Sequence, residues 1–275
     1  MKALLLMVQT EIQESLRARW FFTYLFIFGG AVLLLFTLRI TESQVMGFTG
    51  LGRLLLTYIQ LAVAILPIFV LITMVRTVVG DKENNVMEYL LSLPIPLAAY
   101  YWGKLLGRFV VIFIPVTLTM FAAALWGALK GFDVPWALLG YYSLLLGTLS
   151  WCYMGFGILI STMVRRLEVG LGLGFLVWLV SLFFIDIILI GVLIRQHVGE
   201  NTVVMLALLN PLQDFRLAAI MLFDPEMSVL GPTALVIQDK LGVKGFMVFA
   251  QAYPMLLGWL LSLVGYKIFK SGDLI

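Results

Sequence analysis

Apolar residues run along this chain in six long blocks separated by short polar punctuation. A helix needs roughly 20 predominantly apolar residues to cross the hydrocarbon core of a bilayer. The blocks at Trp20–Leu38, Leu54–Val79, Leu105–Leu129, Trp136–Val164, Val169–Ile194 and Phe246–Phe269 are of that order. No stretch alternates apolar and polar residues in the way of a half-buried strand. A backbone in lipid must satisfy its own donors and acceptors, which a polytopic chain does as helices. The pattern predicts an all-α polytopic membrane protein with six transmembrane helices in a single transmembrane domain, 1–275. Pro67 and Pro115 fall inside the second and third blocks, where each removes a backbone donor and predicts a bend.

Three stretches interrupt the apolar text. In residues 1–19, Leu5, Val8, Ile12 and Leu16 recur at helical spacing while Gln9, Glu11, Gln13 and Glu14 fall elsewhere. That predicts an amphipathic helix lying along the membrane surface. No small-residue cleavage site follows the short run Ala3–Val8, so the segment does not read as a signal peptide. Residues 80–104, GDKENNVMEYLLSLPIPLAAYYWGK, begin with Asp81 as a helix cap and Glu83 near the positive end of the helix dipole. Val86, Leu90 and Leu93 share a side, with Met87 and Leu91 beside them. Pro94 and Pro96 end this short helix and start another. Tyr100, Tyr101 and Trp102 suit the membrane interface, with Lys104 snorkelling there. The apolar residues Met87, Leu90 and Leu91 either dock into a groove on a soluble protein or rest on lipid. The third stretch, 195–245, is far longer than the usual connection of about 4–6 residues. Its apolar runs TVVMLALLNP, RLAAIMLF and TALVI predict short external helices that cap the bundle or meet a partner.

Composition agrees with this picture. The chain has 275 residues, 62 % hydrophobic and 12 % charged, with a mean hydropathy of +1.07. Soluble domains carry about 45–50 % apolar and about 25 % charged residues, so the partner solvent is a lipid bilayer. The net charge is +3 with no basic stripe, which argues against nucleic-acid binding. Basic residues instead orient the chain. With the N-terminus in the cytoplasm, the inside segments hold Lys2, Arg17, Arg19, Arg76, Lys82, Lys104, Arg108, Arg165, Arg166, Lys267 and Lys270. The outside segments hold Arg39, Arg53, Lys130, Arg195, Arg216, Lys240 and Lys244. Eleven against seven places both termini inside.

Chemistry-bearing residues are few. Asp186, in FFIDIILIG, lies deep in the fifth block. Insertion scales assign about 2.5–3.5 kcal/mol to a charge at a helix centre. It is a candidate for the translocation pathway, or else a protonated, hydrogen-bonded structural group. No nucleophile–base pair, H-E-x-x-H or G-x-x-x-x-G-K-[ST] occurs, so neither a catalytic residue nor an enzyme is predicted. One cysteine (Cys152), one histidine (His197) and thirteen scattered methionines do not form a soft-metal cluster, so no metal site is predicted.

Residues 80–104 resemble the cytoplasmic coupling segment of ABC transporter permeases of the ABC-2 type. The family pattern is an acidic residue, a spacer, Gly-Thr-Leu-Glu, Leu-Leu, a Pro turn, and Gly-Lys opening the third span. Here it reads Glu83, Asn85-Val86-Met87-Glu88, Leu90-Leu91, Pro94 and Gly103-Lys104, with Asn-Val where the family has Gly-Thr. The resemblance implies two copies of the chain working with a soluble ATPase dimer, which it touches through Glu83, Met87, Glu88, Leu90, Leu91 and Pro94. ATP and Mg would sit on that partner, with no cofactor on this chain. The segment LLNPLQDFRL and the stretch GFTGLGR resemble the permease branch that serves maturation of nitrous oxide reductase. That branch implies an inner-membrane protein moving a sulfur species or copper for a copper–sulfur site. It also implies a periplasmic β-helical protein docking outside, with Asn210, Pro211, Asp214 and Arg216 as candidate contacts. Without the branch, the class implies an exporter of another cargo, such as a lipid, drug or ion.

Overall fold

The computed structural model describes residues 2–37, 51–92, 95–129, 131, 134, 136–195, 205, 208–223 and 232–272. For 28, 31–37, 51–57, 91, 184–195, 223 and 232–240 it describes the backbone alone. Among the described residues the regular structure is helical: α1 (Lys2–Arg17), α2 (Arg19–Thr37), α3 (Leu51–Val75), α4 (Val78–Glu83), α5 (Val86–Ser92), α6 (Leu97–Leu129), α7 (Trp136–Met163), α8 (Leu167–Arg195), α9 (Pro211–Phe223) and α10 (Pro232–Ser271). Each of the six apolar blocks overlaps a long helix, and the second, Leu54–Val79, runs past the end of α3 into α4. On the described residues, four stretches are long and apolar enough to cross a membrane: Tyr58–Glu83, Leu97–Leu129, Trp136–Met163 and Leu241–Ser271. Pro67 and Pro115 lie inside α3 and α6, and α10 breaks at Gly242, whose φ of 66° no β-carbon tolerates well.

Helix α7 is the axis of the fold. It packs against α10, α3, α6, α8, α9 and α4, and most of its length is buried, including Tyr142, Leu146, Cys152, Tyr153 and Ile158. Its closest crossing is with α10, where two glycines meet. A β-carbon on Gly155 would lie 2.6 Å from the carbonyl oxygen of Gly258. Small residues let backbones approach in this way where lipid supplies no hydrophobic drive between helices. Large apolar side chains on the outer faces of α6, α8 and α10, among them Leu118, Leu125, Leu176, Leu256 and Leu260, are exposed, as suits helices solvated by lipid.

Two sequence expectations change here. Helix α1 forms over the expected residues, but its buried face carries Glu11 and Ser15, while Leu5 is 60 % exposed and Leu6 and Leu16 are also open. The helix lies across α6 at Gly103 and Gly107, where added β-carbons would meet Met7 Cβ at 2.5 Å and Glu11 Cβ at 2.8 Å. A polar stripe faces protein because its partners are charged groups on α6, and the leucines are left to the outside.

The aromatic cluster also turns inward. Helix α6 begins at Leu97, earlier than the apolar block. Tyr100 and Tyr101 are buried, the Tyr101 hydroxyl donates to Ser262 O at 2.7 Å, and Trp102 packs on Trp259 and Tyr266. These rings cement α6 to α10 instead of marking a membrane belt. Lys104, expected to snorkel, is buried as well.

Candidate coupling site at the α4–α5 end of the bundle

The chain leaves α3 through a break at Arg76–Thr77 and resumes as α4. Ser161 of α7 splices the break. Its hydroxyl donates to Val75 O at 2.6 Å and accepts the Val78 and Val79 N–H groups at 2.9 and 3.1 Å. Orphan groups at two helix ends are thereby satisfied by one side chain. Helix α4 ends with Asn84 and Asn85 N–H groups donating to Gly80 and Lys82 carbonyls at 3.1 and 3.2 Å. Asn85 has φ 58°, the left-handed region that Gly and then Asn adopt most readily. Asn is one of the few side-chain-bearing residues that take up this turn at little cost. Asn85→Val should therefore destabilise the protein by about 1–2 kcal/mol, with Asn85→Gly near neutral. Thermal unfolding in detergent would check this, and equal midpoints for the two variants would contradict it.

Asp81 does not cap a helix. It sits inside α4 and points at α6, accepting the Tyr100 hydroxyl at 2.5 Å and pairing with Lys104 Nζ. Lys104 also lies 3.9 Å from Glu11 Oε2. Glu11 Oε1 accepts Arg108 Nε at 2.5 Å, and Arg108 Nη1 donates to Thr73 O. Two cations and two carboxylates thus form a neutral chain through the interior, joining α4, α6, α1 and α3. Glu11 and Lys104 are buried, Asp81 and Arg108 are partly buried, and each has an opposite partner.

Glu83 was expected to meet a partner protein. Here its Oε1 accepts the Leu167 N–H at 2.7 Å. Leu167 opens α8, so the carboxylate caps that helix against its positive dipole end. Glu83 therefore ties α4 to α8 beside the exposed pair Arg165–Arg166. Met87 was expected on the docking face, yet it is 2 % exposed and shares a small cavity with Leu90, Ile95, Leu97 and Tyr100. Leu90 is half-buried against the same core. The face left open on α5 carries Glu88 together with Val86 and Tyr89, the latter 67 % exposed. Tyr89 escaped the sequence reading because Met87, Leu90 and Leu91 were the stronger apolar signal. For Met87 and Leu90 that signal marked the face α5 buries on its own chain.

The remaining candidates fall elsewhere. Leu91 is in α5, but its side chain, Pro94 and His197 lie outside the described residues, as does the side chain of Asp186 on α8. Asn210, Pro211 and Asp214, expected as external contacts, are buried in this chain, and only Arg216 of that group is exposed. Their helix, α9, packs among α3, α7, α8 and α10, so apolar packing encloses them.

Residues 5–264 match the family model described as "ABC-2 family transporter protein". The chain is 25 % identical over 232 residues to a "Probable ABC transporter permease protein NosY" from Stutzerimonas stutzeri, covering 82 % of this chain and 84 % of that protein. It is 24 % identical over 220 residues to the protein of the same description from Pseudomonas aeruginosa, covering 78 % and 80 % respectively. The match spans α1 to most of α10, including the strut of α4 and α5 and its buried charges. This chain belongs to the ABC-2 family of ABC transporters, as a multi-pass membrane permease similar to NosY.

Proposed function

We propose that this chain is the permease half of a transporter built from two copies of it and a soluble ATPase dimer. ATP and Mg sit on the ATPase, and this chain passes the resulting motion to its six spans. Both termini and the α4–α5 end face the cytoplasm, across an inner membrane. The observation that carries the reading is the exposed α5 face of Val86, Glu88 and Tyr89, mounted on a strut that is tied to four other helices. Force applied at α5 reaches α8 through Glu83, α7 through Ser161, and α6 and α1 through Asp81 and Lys104. A solvated loop has no such ties.

The cargo we propose is a sulfur species or copper, moved for assembly of the copper–sulfur site of nitrous oxide reductase. Support comes from the similarity to NosY permeases and from the LLNPLQDFRL segment that forms α9. A periplasmic β-helical partner on the opposite side would then meet Arg216 and its surroundings, not the buried Asn210, Pro211 or Asp214.

Co-purification with the neighbouring ATPase tests the coupling reading. Glu88→Lys with Tyr89→Asp should abolish association while leaving the unfolding midpoint unchanged, since exposed interface aromatics are frequent hot spots. Met87→Ala should do the reverse, lowering stability by about 2–5 kcal/mol without selectively removing the partner. Retention of the ATPase by the Glu88/Tyr89 variant would refute the assignment of this face.

A further inference from the structure

The segment after α8 returns into the bundle. Asn210 Nδ2 donates to Ser181 O at 2.7 Å, and Ser181 stands 14 residues from each end of α8, Leu167 and Arg195 (181 − 167 and 195 − 181). The Tyr253 hydroxyl of α10 donates to Leu209 O at 2.9 Å. Asn210 Oδ1 accepts the Leu212 N–H at 3.0 Å, and Pro211 supplies the first turn. An Asn–Pro cap therefore starts α9 level with the middle of α8. At 13 residues, α9 is too short to span a bilayer.

Asp214, one turn into α9, is 0 % exposed. Neither of its carboxylate oxygens has a hydrogen-bond partner among the described residues. Zero accessible surface also means that no void large enough for a water molecule adjoins it, so a hydrated cation does not fit against it in this packing. The groups facing it are Cys152 from α7 and Tyr253 from α10. On the same α7 face lie Tyr142, packed on Phe215, and Tyr153. Helix α3 brings Tyr58 towards Tyr142, and α8 brings Ser181 to Asn210. Arg216, on α9 itself, points outward. An unpaired carboxylate in such a place neutralises instead of remaining charged. Burial accordingly pushes the Asp214 carboxyl up from 3.8 to about 9.

We propose that Asp214 is a proton-binding site that fastens α9 into the bundle, and that release of its proton to water favours an outward position of α9 that uncovers the α7 face carrying Cys152. A proton is the one ligand small enough for the enclosed carboxyl. Because the packed state raises the affinity for that proton, its advantage is full below about pH 3.8. It then falls as pH rises, by about tenfold per unit, until about pH 9. The proposal concerns this chain alone and stands independently of the cargo and the ATPase.

Cys152 is the only cysteine in the chain, so it serves as a native reporter. The full chain in proteoliposomes would be labelled with a membrane-impermeant maleimide across neutral to alkaline pH, as wild type and as Asp214→Asn. The variant keeps the shape and neutrality of the protonated acid, and it shares the pH dependence of the thiol itself. The wild-type-to-variant rate ratio should rise with pH by up to tenfold per unit, and Asp214→Leu should give the same flat reference if Asp214→Asn folds poorly. The infrared spectrum at neutral pH should contain a protonated-carboxyl C=O band that Asp214→Asn lacks. A ratio that stays constant with pH, or a neutral-pH spectrum without an Asp214-dependent band, overturns the proposal.

Discussion

Glu11→Ala should destabilise the protein by about 3–5 kcal/mol, an outcome that a surface glutamate on an amphipathic helix would not give. Glu11 is 4 % exposed and stands between Arg108 Nε at 2.5 Å and Lys104 Nζ at 3.9 Å. Its removal leaves Lys104 paired with Asp81 but takes from Arg108 the carboxylate it pairs with. The large effect comes from the stranded charge, not from the lost attraction alone. The cycle Glu11→Ala, Arg108→Ala and the double variant makes this measurable. The double variant should be less destabilised than the sum of the singles, because it removes the stranded charge together with its partner. Unfolding in detergent, followed by tryptophan fluorescence, is the measurement. A single-variant loss below about 1 kcal/mol would place Glu11 in the class of exposed pairs and refute the buried network.

Gly258→Val is expected to be at least as damaging, at about 3 kcal/mol or more. A β-carbon at Gly258 would sit 2.7 Å from Trp151 Cδ1, 2.8 Å from Trp151 O and 2.9 Å from Cys152 Cα. Two of those three atoms belong to backbone, which no rotamer change moves. The helices α7 and α10 must then separate along the crossing that also holds the Trp151–Trp259 contact, whose ring centroids are 4.9 Å apart. Gly258→Ala already meets the same atoms, so even the smallest side chain should lower the yield of monodisperse protein. Gly140, by contrast, has nothing within 4 Å of its β-carbon position, and Gly140→Ala serves as the tolerated control. Equal stability of the Gly258 and Gly140 alanine variants would show that the crossing is looser than described.

Both effects depend on positions that carry little signal in one dimension. Glycines 155 and 258 are 103 residues apart, and among the chain's 25 glycines nothing local distinguishes them. Glu11 and Arg108 lie 97 positions apart, on helices whose contact no spacing rule connects. The apolar pattern, on the other hand, is a local property, and it located α1, α5 and the long helices, although α6 starts at Leu97 and α10 at Pro232, well before their blocks at Leu105 and Phe246. Turn chemistry was legible too. Pro96 preceded α6, because Pro restricts its own neighbourhood whatever surrounds it.

Membership of the bilayer was decided by the sequence, since 62 % hydrophobic residues in blocks of about 20 leave no other solvent. The existence of a short helix after the second long block was decided there as well. Which face of that helix is free was decided only by tertiary structure. Met87 turns in against Tyr100 and Leu97, and Tyr89 is left outside. Charge showed the same division. Sequence read Lys104 as snorkelling at the interface, Glu11 as part of the polar side of a surface helix, Asp81 as a helix cap and Arg108 as an inside charge. The fold brings the four together, so their fields cancel and they can be buried. Asp214 is the opposite case, a carboxyl that the fold encloses with no hydrogen-bond partner among the described residues, and a proton is the balance proposed for it.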